Sequence, residues 1–171
     1  DMGVVYSFDY DTWGNNTRIS IISDSTKSVA AAQYSADGNM LVSTTDALAV
    51  RTQYCYNEDT GLLEWVQYPV DDAETRTEYS YDAMYRLASA VANVDNGYSL
   101  NADYTYTDDL LTKIATNSTT YNFAYGDFAK ISSITVGANA LATYEYTNDA
   151  DRYLQKLTYG NSDYVQYAYD E

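Results

Sequence analysis

The chain has 171 residues, room for one domain, and carries a formal charge of −16 from 25 acidic and 9 basic residues, with no histidine. That acidity repels phosphate backbones and anionic headgroups, and no apolar run approaches the ~18 residues of a membrane helix, so neither a nucleic acid partner nor membrane insertion is expected. Without histidine, Ser-His-Asp and Cys-His catalysis and every histidine-based metal site drop out.

Read from the start, the chain repeats one pattern: aromatic-x-Tyr, a short polar turn, then alternating small and aliphatic residues. The copies begin with Phe8-Asp-Tyr10-Asp11-Thr-Trp13-Gly14-Asn15, followed by Tyr34-Ser-Ala-Asp-Gly38-Asn39-Met40. Next come Tyr54-Cys-Tyr56-Asn57 through Gly61-Leu62-Leu63, and Tyr79-Ser-Tyr81-Asp82-Ala-Met-Tyr85-Arg86-Leu87. Then follow Tyr104-Thr-Tyr106-Thr-Asp-Asp-Leu110-Leu111 and Phe123-Ala-Tyr125-Gly-Asp-Phe-Ala129-Lys130-Ile131. The last are Tyr144-Glu-Tyr146-Thr-Asn through Arg152-Tyr153-Leu154 and the cut-off Tyr167-Ala-Tyr169-Asp170. The second aromatic falls at 10, 34, 56, 81, 106, 125, 146 and 169, at intervals of 19 to 25 residues. Variable intervals assign the insertions to loops and the constancy to strands.

Each part of the unit has a physical role. Rings two residues apart project from one face of a strand. Asp or Asn after the second ring caps a type I turn, and Gly beyond it takes positive φ without steric cost. The alternating residues that follow, as in Arg86 to Val91 and Lys130 to Val136, form the returning strand. Second turn signals at Asp95-Asn96-Gly97, Gly137-Ala138-Asn139 and Gly160-Asn161-Ser162 join one hairpin to the next. The one proline, Pro69, lies beside Asp71 and Asp72 in the single plausible interruption. The reading is all-β: one array over residues 1–171, about seven full hairpin repeats and a truncated eighth, giving 14 to 16 antiparallel strands. A flat sheet of that size is about 70 Å wide, and open twisted sheets rarely pass about ten strands without curling, so a curled sheet is expected.

Leu, Ile, Val and Phe make up only 31 of 171 residues, a scarcity that with this charge points towards disorder. The 21 Tyr and 2 Trp supply the missing apolar area, each ring burying on the order of 150–250 Å² while the Tyr hydroxyl tolerates water. A single-layer sheet, wet on one or both faces, suits that composition.

These copies resemble the repeats of Rhs/YD-repeat (tyrosine-aspartate repeat) proteins, whose core pattern is Tyr-x-Tyr-Asp-x-x-Gly-Arg-Leu. Tyr79 to Leu87 matches except at Tyr85, where the pattern has Gly; Phe8 to Asn15 keeps Asp11 and Gly14 but has Asn15 for Arg. The resemblance covers essentially the whole chain. It implies a segment of a long sheet that spirals into a hollow shell, and in the toxin members of the family that shell holds a C-terminal effector. The self-cleavage element of those members contains Asp-Pro, which is not matched by Tyr68-Pro69. The motif residues this assigns to structure are Tyr10, Asp11, Gly14, Tyr34, Gly38, Tyr54, Tyr56, Gly61, Tyr79, Tyr81, Asp82, Arg86, Leu87, Tyr104, Tyr106, Phe123, Tyr125, Tyr144, Tyr146, Tyr167, Tyr169 and Asp170. The chain starts at Asp1 and stops inside a motif, so it reads as a fragment whose open end strands invite edge-to-edge self-association.

Candidates for chemistry are few. The adjacent carboxylates Asp71/Asp72 and Asp108/Asp109 read as solvated turns rather than a glycosidase pair. Asn93 to Gly97 lacks the ligand set of a calcium loop. Cys55 reads as a small half-buried hydrophobe, and the sequons at Asn15 and Asn117 matter only in a eukaryotic source. Trp13 and Trp65, outside the repeated aromatic positions, are the possible ligand aromatics. The expectation is a non-catalytic, cofactor-free wall segment of a secreted or cell-surface protein, bacterial in origin, partnered by the rest of its repeat shell and by an enclosed effector domain. The alternative is an extracellular module that recognises a glycan or protein at a cell surface.

Overall fold

A computed structural model describes residues 3–23, 26–68, 75–94, 97–148 and 152–170. Pro69, Asp71, Asp72, Asp95 and Asn96, which carried the expected interruption and one expected turn, lie outside the described residues. The strands are β1 (Val5–Tyr10), β2 (Asn16–Ser23), β3 (Thr26–Tyr34), β4 (Leu41–Thr45), β5 (Arg51–Tyr56), β6 (Leu63–Gln67), β7 (Arg76–Tyr81) and β8 (Leu87–Val94). They continue as β9 (Tyr98–Thr107), β10 (Leu110–Thr116), β11 (Thr120–Tyr125), β12 (Ile131–Val136), β13 (Asn139–Tyr146), β14 (Leu154–Tyr159) and β15 (Tyr164–Gln166). All fifteen follow one another in sequence order in an open sheet, as expected of tandem hairpins. By internal contacts the chain divides into two compact units, Asp1–Arg86 with Ala90–Ser99, and Leu87–Ser89 with Leu100–Glu171.

Five hairpins share one pairing. The first ring of the motif stands opposite an aliphatic residue of the returning strand: Phe8 faces Ile19, Tyr54 faces Val66, Tyr104 faces Ile114, Phe123 faces Ile134 and Tyr144 faces Leu157. Such cross-strand pairs contribute about 0.2–1 kcal/mol each. At the second ring the register slips by one residue, at Asp9/Tyr10, Gln33/Tyr34, Cys55/Tyr56, Ala124/Tyr125 and Glu145/Tyr146. A bulge at that point sharpens the local twist and leads the chain into the turn.

With one layer of sheet there is little interior. Among the described residues only Val66, Ala142, Ser20 and Ser43 are buried, and most motif rings are half-covered by their neighbours. Aromatic and β-branched side chains hold such a sheet because they pack laterally on the pleat rather than into a core.

The turn after Tyr106 departs from the motif. There the chain reverses through Asp108 and Asp109, both at positive φ (48° and 65°), in a two-residue bend between β9 and β10. Asp tolerates this left-handed geometry better than most residues, so the pair is a hairpin device.

Candidate functional site

The side chains that do most in this sheet are the second tyrosines. The Tyr81 hydroxyl donates to the Leu63 carbonyl (2.9 Å) and Tyr106 to Leu87 (3.0 Å). Tyr125 donates to Leu111 (2.8 Å), Tyr146 to Ile131 (2.9 Å) and Tyr169 to Leu154 (2.9 Å). Leu63, Leu87, Ile131 and Leu154 open the returning strand of the preceding repeat, and Leu111 is the second residue of its own. At Leu63, Leu111, Ile131 and Leu154 the acceptor stands beside a register shift of its hairpin. Each rung therefore joins two repeats and leaves the ring to pack on its neighbours, and at Tyr81, Tyr106, Tyr125 and Tyr146 it satisfies a half-buried phenol. Among the described residues no such rung forms at Tyr10, Tyr34 or Tyr56.

Sequence reading singled out the rings but not the carbonyls of Leu63, Leu111, Ile131 and Leu154, nor the role of Leu87 as an acceptor. A signal was present. The second position is Tyr in all eight copies, whereas the first admits Phe at Phe8 and Phe123. Where a rung forms, it is the second position that uses a hydroxyl.

At the turns, Asp and Asn act as backbone caps. Asp11 Oδ1 accepts from the Trp13 and Asn15 amides (both 2.9 Å), and Asp82 Oδ1 from those of Met84 and Arg86 (2.8 and 3.0 Å). Asn57 Oδ1 does the same for Asp59 and Thr60. Partial burial pushes the Asp11 and Asp82 carboxyls up, but these hydrogen bonds, with the Arg86 guanidinium beside Asp82 (2.8 Å), outweigh it and hold both below the usual value. Asp46, which the repeat pattern does not include, forms an equivalent turn between β4 and β5, accepting from Leu48 and Val50 (2.8 and 2.9 Å). Its segment Asp46-Ala-Leu-Ala49 parallels Asp82-Ala-Met-Tyr85, and Ala49 and Tyr85 share the positive φ (64° and 62°) that Gly14, Gly38 and Gly61 adopt elsewhere (89°, 76° and 72°).

Successive turns also touch. The Trp13 ring lies across Gly38, where an added Cβ would sit 2.4 Å from it, and Asn15 Nδ2 donates to the Gly38 carbonyl (2.8 Å). Met40 packs on Gly61 in the same manner. In the other unit Arg152 stacks over Phe128 (4.2 Å), while the Lys130 ammonium bonds the Arg152 carbonyl and lies over the Tyr146 ring (5.1 Å).

The two expected ligand aromatics are not brought together. Trp13 is 65 % exposed in its turn and lines a hollow with Tyr34, Ser35 and Val42. Trp65 lies half-buried in β6 with the Arg76 guanidinium 5.3 Å from its ring centre. Cys55 is half-buried, its thiol 4.0 Å from Glu64. Tyr79 is half-buried beside Ser80, whereas Tyr167 and Asp170 lie in the exposed final segment, and the Tyr169 ring stacks on Tyr153 (4.7 Å). Among the described residues no group of three or more Cys, Asp and Glu side chains is placed to hold a metal ion.

Fold and linkage together define a class: a single-sheet protein of tandem antiparallel hairpins, fastened repeat to repeat by tyrosine hydroxyls. No protein-family model matches the chain, and no curated protein matches it. Among solved structures it is similar to the crystal structures of TcdB2-TccC3-Cdc42 and of TcdB2-TccC3, each with 16% identity, a TM-score of 0.42 and 92% of this chain covered. It is also similar to the Photorhabdus luminescens Tc holotoxin pore with a mutated TccC3, with 19% identity, a TM-score of 0.43 and 91% of this chain covered. The chain spans 11% of the length of each of these.

Proposed function

We propose that this chain is a non-catalytic wall segment of a secreted or cell-surface Rhs/YD-repeat protein, one stretch of a β-shell that encloses a toxin or effector domain. The observation that carries the reading is the tyrosine ladder. In five of its eight copies, at Tyr81, Tyr106, Tyr125, Tyr146 and Tyr169, the second tyrosine is spent on joining one repeat to the one before it, which is what a continuous wall requires and a catalytic site does not. The outermost strands β1 and β15 each have one strand neighbour, so their free backbone groups suit further repeats of the parent shell or edge pairing in the isolated chain.

A glycan and protein array probed with the purified chain separates this reading from recognition at a cell surface. A wall segment retains nothing tighter than millimolar. Micromolar binding that disappears in Trp13→Ala or Trp65→Ala would move the function to recognition.

A further inference from the structure

The residue just before each acceptor of the ladder is Leu62, Arg86, Leu110, Lys130 or Tyr153: aliphatic or cationic at four rungs and a phenol at the last. In the second unit this residue lies against the tyrosine ring of the rung it precedes. The Lys130 ammonium stands 5.1 Å over the Tyr146 ring, and the Tyr153 ring stacks on Tyr169 with 4.7 Å between centres and 27° between planes. The last rung therefore sets two phenols face to face.

Both members of that pair are held in place and both are open to solvent. The Tyr169 hydroxyl donates to the Leu154 carbonyl (2.9 Å). The Tyr153 backbone is pinned by Thr147, whose amide donates to its carbonyl (2.9 Å) and whose hydroxyl accepts from its amide (2.9 Å). Yet Tyr153 is 45 % and Tyr169 49 % accessible, so a reagent in solution reaches either ring.

We infer that Tyr153 and Tyr169 form an oxidative coupling site, which a haem peroxidase with hydrogen peroxide converts to a dityrosine bond within the chain. Each phenol gives up one electron and one proton, and the two phenoxyl radicals join through ring carbons ortho to their oxygens. The hydrogens on those carbons then pass to the oxygens and restore two phenols, so the chain loses two hydrogen atoms in all. Hydrogen peroxide takes up the two electrons and two protons and becomes two molecules of water.

The geometry favours this pair over other partners. Rings already stacked need only a small slide to bring two carbons together, and holding reactants so makes the step effectively unimolecular. Coupling between chains has no such advantage, and the −16 charge on each opposes their approach. The new bond closes a loop containing β14 and β15. Of these β15 is three residues long with one strand neighbour, so a covalent tie, which restricts the unfolded chain, secures a hairpin with few backbone bonds of its own.

The test treats the intact chain, dilute, with a haem peroxidase and hydrogen peroxide, and digests the monomeric product with trypsin. Cleavage after Arg152 and Lys156 separates residues 153–156 from residues 157–171 in the untreated chain. In the product these peptides are expected to stay joined, two hydrogen atoms lighter than their sum and with the blue fluorescence of dityrosine, and the coupled chain should resist urea better than the untreated one. Tyr153→Phe, which keeps the ring and the Leu154 rung, should abolish the joined peptide, as should Tyr169→Phe, whereas Tyr167→Phe on the same final segment should leave it. Coupling only between chains or only at other tyrosines overturns the inference. So does a joined peptide that survives Tyr169→Phe, or a chain that stays unreacted while free tyrosine couples under the same conditions.

Discussion

The Tyr146 hydroxyl donates 2.9 Å to the Ile131 carbonyl, fifteen residues upstream, while Tyr144, on the same face of the same strand, makes no such bond. The two rings of one motif thus have different tasks. The first packs on an aliphatic neighbour, and the second fastens its repeat to the previous one.

Tyr146→Phe should therefore destabilise the chain by about 1 kcal/mol, the net worth of one hydrogen bond, and more if the freed carbonyl is left dry. Tyr144→Phe should be close to neutral, as the native Phe at position 123 suggests. Urea unfolding of both variants checks this; equal losses would refute the division of labour.

Tyr85 occupies a left-handed backbone position (φ 62°) that glycine fills in three other turns. The strain of that geometry, on the order of 1–2 kcal/mol, exceeds the extra flexibility glycine brings to the unfolded chain, so Tyr85→Gly should raise stability by about 0.5 kcal/mol. The reverse holds at Gly14 and Gly38. Gly14→Ala meets open space and loses only the conformational term, whereas Gly38→Ala also drives a methyl group into the Trp13 ring and should cost distinctly more. Thermal melts of the three variants give the ranking directly.

How much of this was legible in the sequence can be read from single residues. Rings at positions 54 and 56, or 79 and 81, fix the face because strand side chains alternate, so hairpin pairing and strand order followed from spacing alone. Asp11 and Asp82 announced their turns through the glycine or arginine that follows. The ladder was hidden because its acceptor is a backbone carbonyl one repeat away, and a carbonyl has no residue-type signature. Asp46 was missed because no ring pair precedes it, although its spacing to Ala49 copies that of Asp82 to Tyr85. The Asp108–Asp109 pair read as a turn, and the structure adds that both residues are left-handed.

Removing the Asp82 cap is expected to cost about 1 kcal/mol, by analogy with helix N-caps that satisfy two adjacent amides. Asp82→Ala loses the bonds to Met84 and Arg86 and the guanidinium contact together, whereas Asp82→Asn keeps one acceptor oxygen and should lose less. Chemical denaturation of the two variants, with Arg86→Gln as the partner control, separates the backbone and charge contributions.

Stability should depend on pH at both extremes. Asp37 is held below the ordinary 3.8 by the Ser35 hydroxyl and by Asn39; in Asp11 and Asp82 burial acts upward, but their hydrogen bonds prevail. A depressed folded-state pKa adds stability above 3.8 that is lost as the pH falls through the folded values, so the acid limb lies below about pH 4. Burial, and then the neighbouring Tyr54 and Tyr144, push the Tyr56 and Tyr146 phenols above 10.0. A raised phenol adds stability below pH 10 that disappears as the pH climbs through its folded value. Urea midpoints should be level between about pH 5 and 9 and fall on either side. Asp82→Asn should flatten the acid limb; an unchanged limb would exclude that carboxyl from it.

Every rung of the ladder points backwards along the chain, from a later hydroxyl to an earlier carbonyl, which gives the sheet a direction its antiparallel strands lack. Trimming it from the C-terminal side strips away donors and bares a carbonyl that water readily satisfies. Trimming from the N-terminal side as far as Leu63 or beyond strands a phenol above an empty place in the sheet and uncovers the ring beneath it. Such a ribbon should erode more gently from its tail than from its head.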